Sequence, residues 1–147
     1  MTFQFAYNHI LNLKEKEKDQ AYSEFGLSLR KKELIIAEHH SVAEEREQCL
    51  NRWEQETENT ISVIKQRTDY LKFLYQKMKL IEERLTQVEK EIVAKKEVFL
   101  TKKKDEKMLL ILRDKSFASF VRKQKKIEQD TLDEMATIRH YHQKVSL

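Results

Sequence analysis

The chain has no proline in its 147 residues and a single glycine, Gly26. Proline and glycine are the strongest punctuators of local structure. Ordinary proteins carry about 5% proline and about 7% glycine. A fold of many short elements needs turns, and turns need residues that preset φ or tolerate it positive. This sequence has almost none, so it must fold into a very few long helices. Such a protein offers faces and length to partners, with little from which to build an enclosed pocket.

Composition agrees. Charged residues make up 37% of the chain and hydrophobic residues 39%, and the apolar ones recur along its whole length. That is the composition of a coiled coil, and it is unlike disorder, in which apolar residues are sparse. The single Cys49 cannot close an internal disulfide and reads as a small helical side chain, which suits the cytosol. No charged-then-apolar leader opens the chain. The longest apolar run, Met108–Leu112, falls well short of the ~20 residues that span a membrane.

Apolar spacing places the helices. Helix 1 is expected over about 4–57, with a seam of Tyr22, Phe25, Leu29, Ile36, Ala43, Leu50 and Trp53. The polar stretch around Glu56–Thr60 marks a turn at about 58–60. Asn59 is suited to a left-handed helix end, and Thr60 to the N-cap of the next helix. Helix 2 is expected over about 61–140. Its seam, Leu71, Leu74, Met78, Ile81, Leu85, Val88, Ile92 and Phe99, follows three- and four-residue steps with Lys95 intruding, the signature of a left-handed coiled coil. The fold class is therefore all-α: a single domain over 1–147 forming a long antiparallel two-helix hairpin with a longer C-terminal helix. Helix 2 would be about 120 Å long at the helical rise per residue. With the turn near residue 59, residue n lies opposite roughly residue 119 − n, which leaves roughly 25 C-terminal residues overhanging helix 1. That overhang includes Phe117, Phe120, Val121 and Ile127, and an unpaired amphipathic helix is commonly a docking element. Gly26, inside helix 1, is either a tolerated weak point or the site of a kink or close approach near Ile92.

Several chemistries find no support. His39 and His40, like His140 and His142, are placed on different helix faces, and no metal-ligand spacing occurs. No glycine-rich loop could hold a phosphate, and the many carboxylates have no enclosing walls to shift them. The sequence therefore implies no enzyme, no catalytic residue, no metal and no cofactor. Charge is uneven: residues 1–60 carry 8 basic and 12 acidic groups, and residues 61–147 carry 21 and 13. The basic stretch Lys102-Lys103-Lys104, Lys107, Arg122-Lys123 and Lys125-Lys126 could meet nucleic-acid phosphates, an acidic protein or anionic lipid, or could simply be solvated. Its charges wind around the helix in place of forming one stripe, which disfavours nucleic acid as a partner.

Both ends of the chain resemble one family. Phe3–Ala21, FQFAYNHILNLKEKEKDQA, resembles the opening of the FliJ proteins of the bacterial flagellar (type III) export apparatus. Asp105–Arg139 resembles the family's closing stretch, with Glu106-Lys107-Met108, then Phe117 and Phe120, the basic Arg122–Lys126, and Asp133-Glu134-Met135-Ala136. The resemblance implies a stalk-like coiled coil in the cytoplasm, peripheral at the membrane, that binds the hexameric flagellar export ATPase, contacts the export-gate membrane protein and escorts export chaperones. On that analogy Phe3, Phe5, Ile10, Leu13, Phe117, Phe120, Arg122 and Lys123 face the ATPase ring. Trp53, Tyr70, Phe73 and Tyr75 form the tip that faces the gate. The alternative is a generic structural coiled coil, such as a homodimer, or a virulence-type secretion counterpart.

Overall fold

The computed structural model describes residues 1–57 and 59–146. Two helices account for nearly all of them: α1, Asn8–Gln55, and α2, Ile61–Val145. They pack against each other antiparallel, and the C-terminal helix is the longer, as the apolar spacing and the turn position predict.

The helix ends differ from the spacing-based limits in instructive ways. Residues 4–7 precede α1 and do not belong to it. The Phe5 carbonyl accepts from Asn8 N at 3.2 Å, and the Tyr7 carbonyl accepts the first α-helical bond from Leu11 N at 2.9 Å. Tyr7 thus stands at the N-cap, a residue type with no capping side chain. α1 ends at Gln55. Glu58 lies outside the described residues, so the expected turn at 58–60 is described only at Asn59 and Thr60. No described residue has a positive φ, so Asn59 does not adopt the left-handed conformation its type allows. Thr60 does cap α2: its Oγ1 accepts from Val63 N at 3.4 Å, and its carbonyl accepts from Ile64 N at 3.0 Å. α2 runs past residue 140 to Val145, and the Ser146 hydroxyl donates to the His142 carbonyl at 2.6 Å.

Packing divides the chain into two compact units, Asp19–Thr101 and Met1–Lys18 with Lys102–Leu147. In the first, Ile35 and Val42 of α1 meet Leu74, Ile81 and Val88 of α2, with Tyr70, Met78, Leu85 and Ile92 packed around them. The α2 seam is the one its spacing predicts. The α1 seam is displaced by one residue. Ala21, Ser28, Ile35, Val42 and Cys49, at every seventh position, are buried, whereas Tyr22, Leu29, Ile36 and Leu50 are exposed. At three of the five positions the buried residue is the smaller of the neighbouring pair, Ala21 beside Tyr22, Ser28 beside Leu29 and Cys49 beside Leu50, so filled volume counts there as much as hydrophobicity. Ile35 and Val42 supply the bulk of the α1 side of the core. The Phe99 ring stacks on Phe25 at 6.4 Å and tilts against Tyr22 at 5.3 Å.

Ion pairs flank the seam. Glu24 meets Lys95 at 3.1 Å, which gives the polar intruder of the α2 seam a partner. Lys31–Glu91, Lys32–Glu89, Arg84–Glu38 and His39–Glu82 follow along the same unit. Glu24–Lys95 lies in the register expected for a turn at residue 59, and Lys31–Glu91 lies three residues further along α2. Each such surface pair is worth at most about 1 kcal/mol, so their role is to fix register and direction while the apolar seam supplies most of the stability. Gly26 packs against nothing: a Cβ built there meets no atom within 4 Å. The close approach near Ile92 is absent, and the glycine is an exposed weak point of α1.

Candidate partner-binding surfaces

The unit formed by Met1–Lys18 and Lys102–Leu147 brings the two ends of the chain together. Residues 1–6 are not helical, and a non-helical segment can span up to about 3.3 Å per residue against about 1.5 Å in a helix. Their reach lays Phe3 across α2. The Phe3 ring lies 5.3 Å from that of Phe117, nearly edge-on, and 5.5 Å from that of Phe120. Such arrangements suit the aromatic quadrupole and add to simple burial. Phe117 and Phe120, expected in an overhang without a partner, are therefore partnered within the chain. Phe120 and Val121 are half-buried, Phe117 remains half exposed, and from Lys125 to Ser146 every residue is exposed.

Phe5 makes a separate edge-on contact with Tyr7 at 5.8 Å. A shallow cleft lined by Phe3, Phe5, Ala6, Asn8, His9 and Arg113 adjoins both aromatic groups. Ile10 and Leu13 are exposed and flank the seam without entering it. The seam residue in this turn is Leu11, buried at 4% exposure, between the two residues that the family resemblance singles out. Its three-residue step to Lys14 hid it, because the seam continues through the charged residues Lys14 and Lys18. Arg122 and Lys123 are exposed beside the phenylalanines, and Arg122 Nε contacts the Ala118 carbonyl of its own helix at 3.5 Å.

The charged turn beneath this patch is held by specific pairs. Lys102 Nζ reaches Glu17 at 3.3 Å, and Lys14 reaches the same carboxylate at 3.5 Å. The hydrogen bond from Lys102 is the first cause that holds the Glu17 carboxyl below the usual carboxylate range, with Lys14 assisting. Lys18 Nζ lies 2.7 Å from Glu106 Oε2, an electrostatic contact and not a well-aimed hydrogen bond. Lys102, part of the basic stretch, is thus engaged within the fold.

The second candidate surface lies near the turn, in Asp19–Thr101. Trp53 contacts Tyr70 edge-on at 6.4 Å, and Tyr70 lies against Phe73 at 6.2 Å. The Arg67 guanidinium sits 5.5 Å from the Trp53 ring centre and pairs with Glu56. The Tyr70 hydroxyl donates to Glu45, and that bond, followed by burial, raises the phenol above its ordinary range. Three of the four expected tip residues therefore form one row. Tyr75 has a different neighbour, with Lys79 Nζ 5.0 Å from its ring centre. Phe73 and Tyr75 are both 57% exposed.

Among the described residues, no three His, Cys, Asp or Glu side chains gather in a group that could hold a metal ion, and no helix is long and apolar enough to cross a membrane. The side chains that gather are aromatic and basic, and they lie on open helix surfaces. The fold defines an all-helical coiled-coil hairpin protein. The chain belongs to the family of flagellar FliJ proteins, whose family model matches residues 3–145. It is also similar to the flagellar FliJ protein of Bacillus subtilis (strain 168), 28% identical over 145 residues that cover 92% of this chain and 94% of the relative. No solved structure matches it.

Proposed function

We propose that this chain is a stalk-like component of the flagellar protein-export apparatus and that its joined ends dock in the ring of the export ATPase. The observation that carries this reading is Phe3 packed on Phe117 and Phe120 beside the exposed Arg122 and Lys123. Two segments far apart in sequence there form one aromatic and basic patch, the composition from which interface anchors are built. The basic side chains suit an acidic ring lining and would steer entry. An asymmetric coiled coil makes different contacts with each ring subunit, and only such differential contacts can bias the states of those subunits. The Trp53–Tyr70–Phe73 row faces the membrane protein of the export gate, and export chaperones are escorted between the two. On this reading the protein works in the cytoplasm, peripheral at the membrane.

The test is stimulation of the cognate export ATPase by the purified chain. The double variant Arg122→Glu/Lys123→Glu alters exposed groups and keeps the fold, and it weakens stimulation. Phe117→Asp/Phe120→Asp weakens it further while far-UV circular dichroism stays helical. Undiminished stimulation by both double variants would exclude docking through this patch.

A further inference from the structure

Beyond the Phe3 contacts, α2 carries a second, unoccupied stretch of seam. Its phase is set by Phe117, Phe120 and Gln124 and continues without a break through Ile127, Thr131, Glu134, Ile138, Tyr141 and Val145 in alternating four- and three-residue steps. These positions prolong the face that Phe3 covers. Ile127, Ile138, Tyr141 and Val145 are 56%, 57%, 66% and 66% exposed, and Met135 and Leu132 border them. The charges of this stretch are segregated. Residues 128–134 hold Glu128, Asp130, Asp133 and Glu134 and no base, whereas residues 139–144 hold Arg139, Lys144 and two histidines and no acid.

We infer that this face is covered by the same face of a second copy of the chain, packed antiparallel across a two-fold axis. A stretch whose first half is acidic and whose second half is basic is complementary to itself only when reversed. The heptad geometry fits in detail. In an antiparallel pair, seam positions of the two classes oppose one another. Ile127 then meets Val145 of the second copy, Thr131 meets Tyr141, and Glu134 meets Ile138. Flanking positions pair like with like in class. Asp130 is then beside Lys144 of the second copy and Glu128 beside His142, each twice by symmetry. Met135 and Thr137 meet their own copies at the axis, where no charge is repeated. A parallel pair would instead set Glu134 against Glu134 in the seam, which the like charges oppose. The acidic groups also make the stretch a poor fit for a phosphate backbone, which needs basic side chains. Glu134 is the weak layer, so the association is reversible and concentration-dependent.

Sedimentation equilibrium of the full chain at low salt, from about 1 µM to about 300 µM, reads the association directly. The weight-average mass is expected to rise from the monomer toward twice that value. Asp130→Lys weakens association about tenfold by turning two attractive flanking pairs repulsive, and Asp130→Lys/Lys144→Asp restores it to within about threefold. Glu134→Leu strengthens it by about tenfold or more. Helical circular dichroism that is unchanged in every variant shows that the fold is kept. A monomer at all concentrations, in both the natural chain and Glu134→Leu, would overturn the inference. So would a dimer that the charge reversal weakens and the double reversal leaves weak, since that dimer would use another face or orientation. The substituted residues are separate from those proposed to meet the ATPase ring, so the two readings stand or fall independently.

Discussion

At the residue scale, the one-residue offset of the α1 seam separates neighbours that composition cannot. Ile35 is buried and Ile36 exposed, though their side chains are identical. Ile35→Ala should cost about 2–4 kcal/mol in thermal or urea unfolding, as other buried truncations do, and Ile36→Ala less than about 1 kcal/mol. Equal costs would contradict the assigned seam. Leu74, fully buried, belongs with the first class. Gly26 gives the opposite sign. With open space around its Cβ and an ordinary helical φ, Gly26→Ala should stabilise the chain by about 1 kcal/mol. A loss of stability there would mean that the glycine serves a close contact after all.

At the scale of the element, local chemistry holds the start of α2, and paired charges fix the register of helices whose stability comes mainly from the apolar seam. Thr60 is the clearest cap, and Thr60→Ala should cost about 1 kcal/mol, measured by urea unfolding. The pairing of Lys102 and Lys14 on Glu17 carries a pH signature. The folded state depresses the Glu17 carboxyl, so its contribution is present above the carboxyl's unfolded value and fades as pH falls through the lower folded one. The melting temperature of Glu17→Gln should therefore fall less steeply than that of the natural chain between about pH 5 and about pH 3. Parallel slopes would show that the pair contributes nothing to stability. The regular steps of α2 made its seam legible in sequence. The α1 seam was misphased because Ala21, Ser28 and Cys49 carry weak hydropathy signals, and Lys14 and Lys18 carry none. At those positions only packing against the facing helix selects the buried residue.

At the scale of the whole molecule, the aromatic and basic patch at the joined ends and the buried cluster of the seam use different residues, whereas Tyr70 of the second candidate surface also packs against that cluster. Ile81→Ala, in the buried cluster, should lower the melting temperature by several degrees, since about 1 kcal/mol moves a domain of this size by roughly 2–8 °C. Arg122→Glu/Lys123→Glu should leave it within about 1 °C, while ATPase stimulation falls. In the first candidate surface Phe3, Phe117 and Phe120 come together, while Phe5 contacts Tyr7 instead and Ile10 and Leu13 are exposed; in the second, Trp53, Tyr70 and Phe73 are neighbours. What the amino-acid sequence determined by itself was the helical hairpin: without proline, and with one glycine, nothing could stop either helix before its apolar pattern lapsed. The α2 seam and the Thr60 cap were local properties and equally readable. The choice of the buried α1 row, the exposure of Gly26 and the folding of Phe3 onto Phe117 and Phe120 were decided only in tertiary structure. Each depends on the size and reach of side chains dozens of residues away, and periodicity along a single helix records only which faces are apolar.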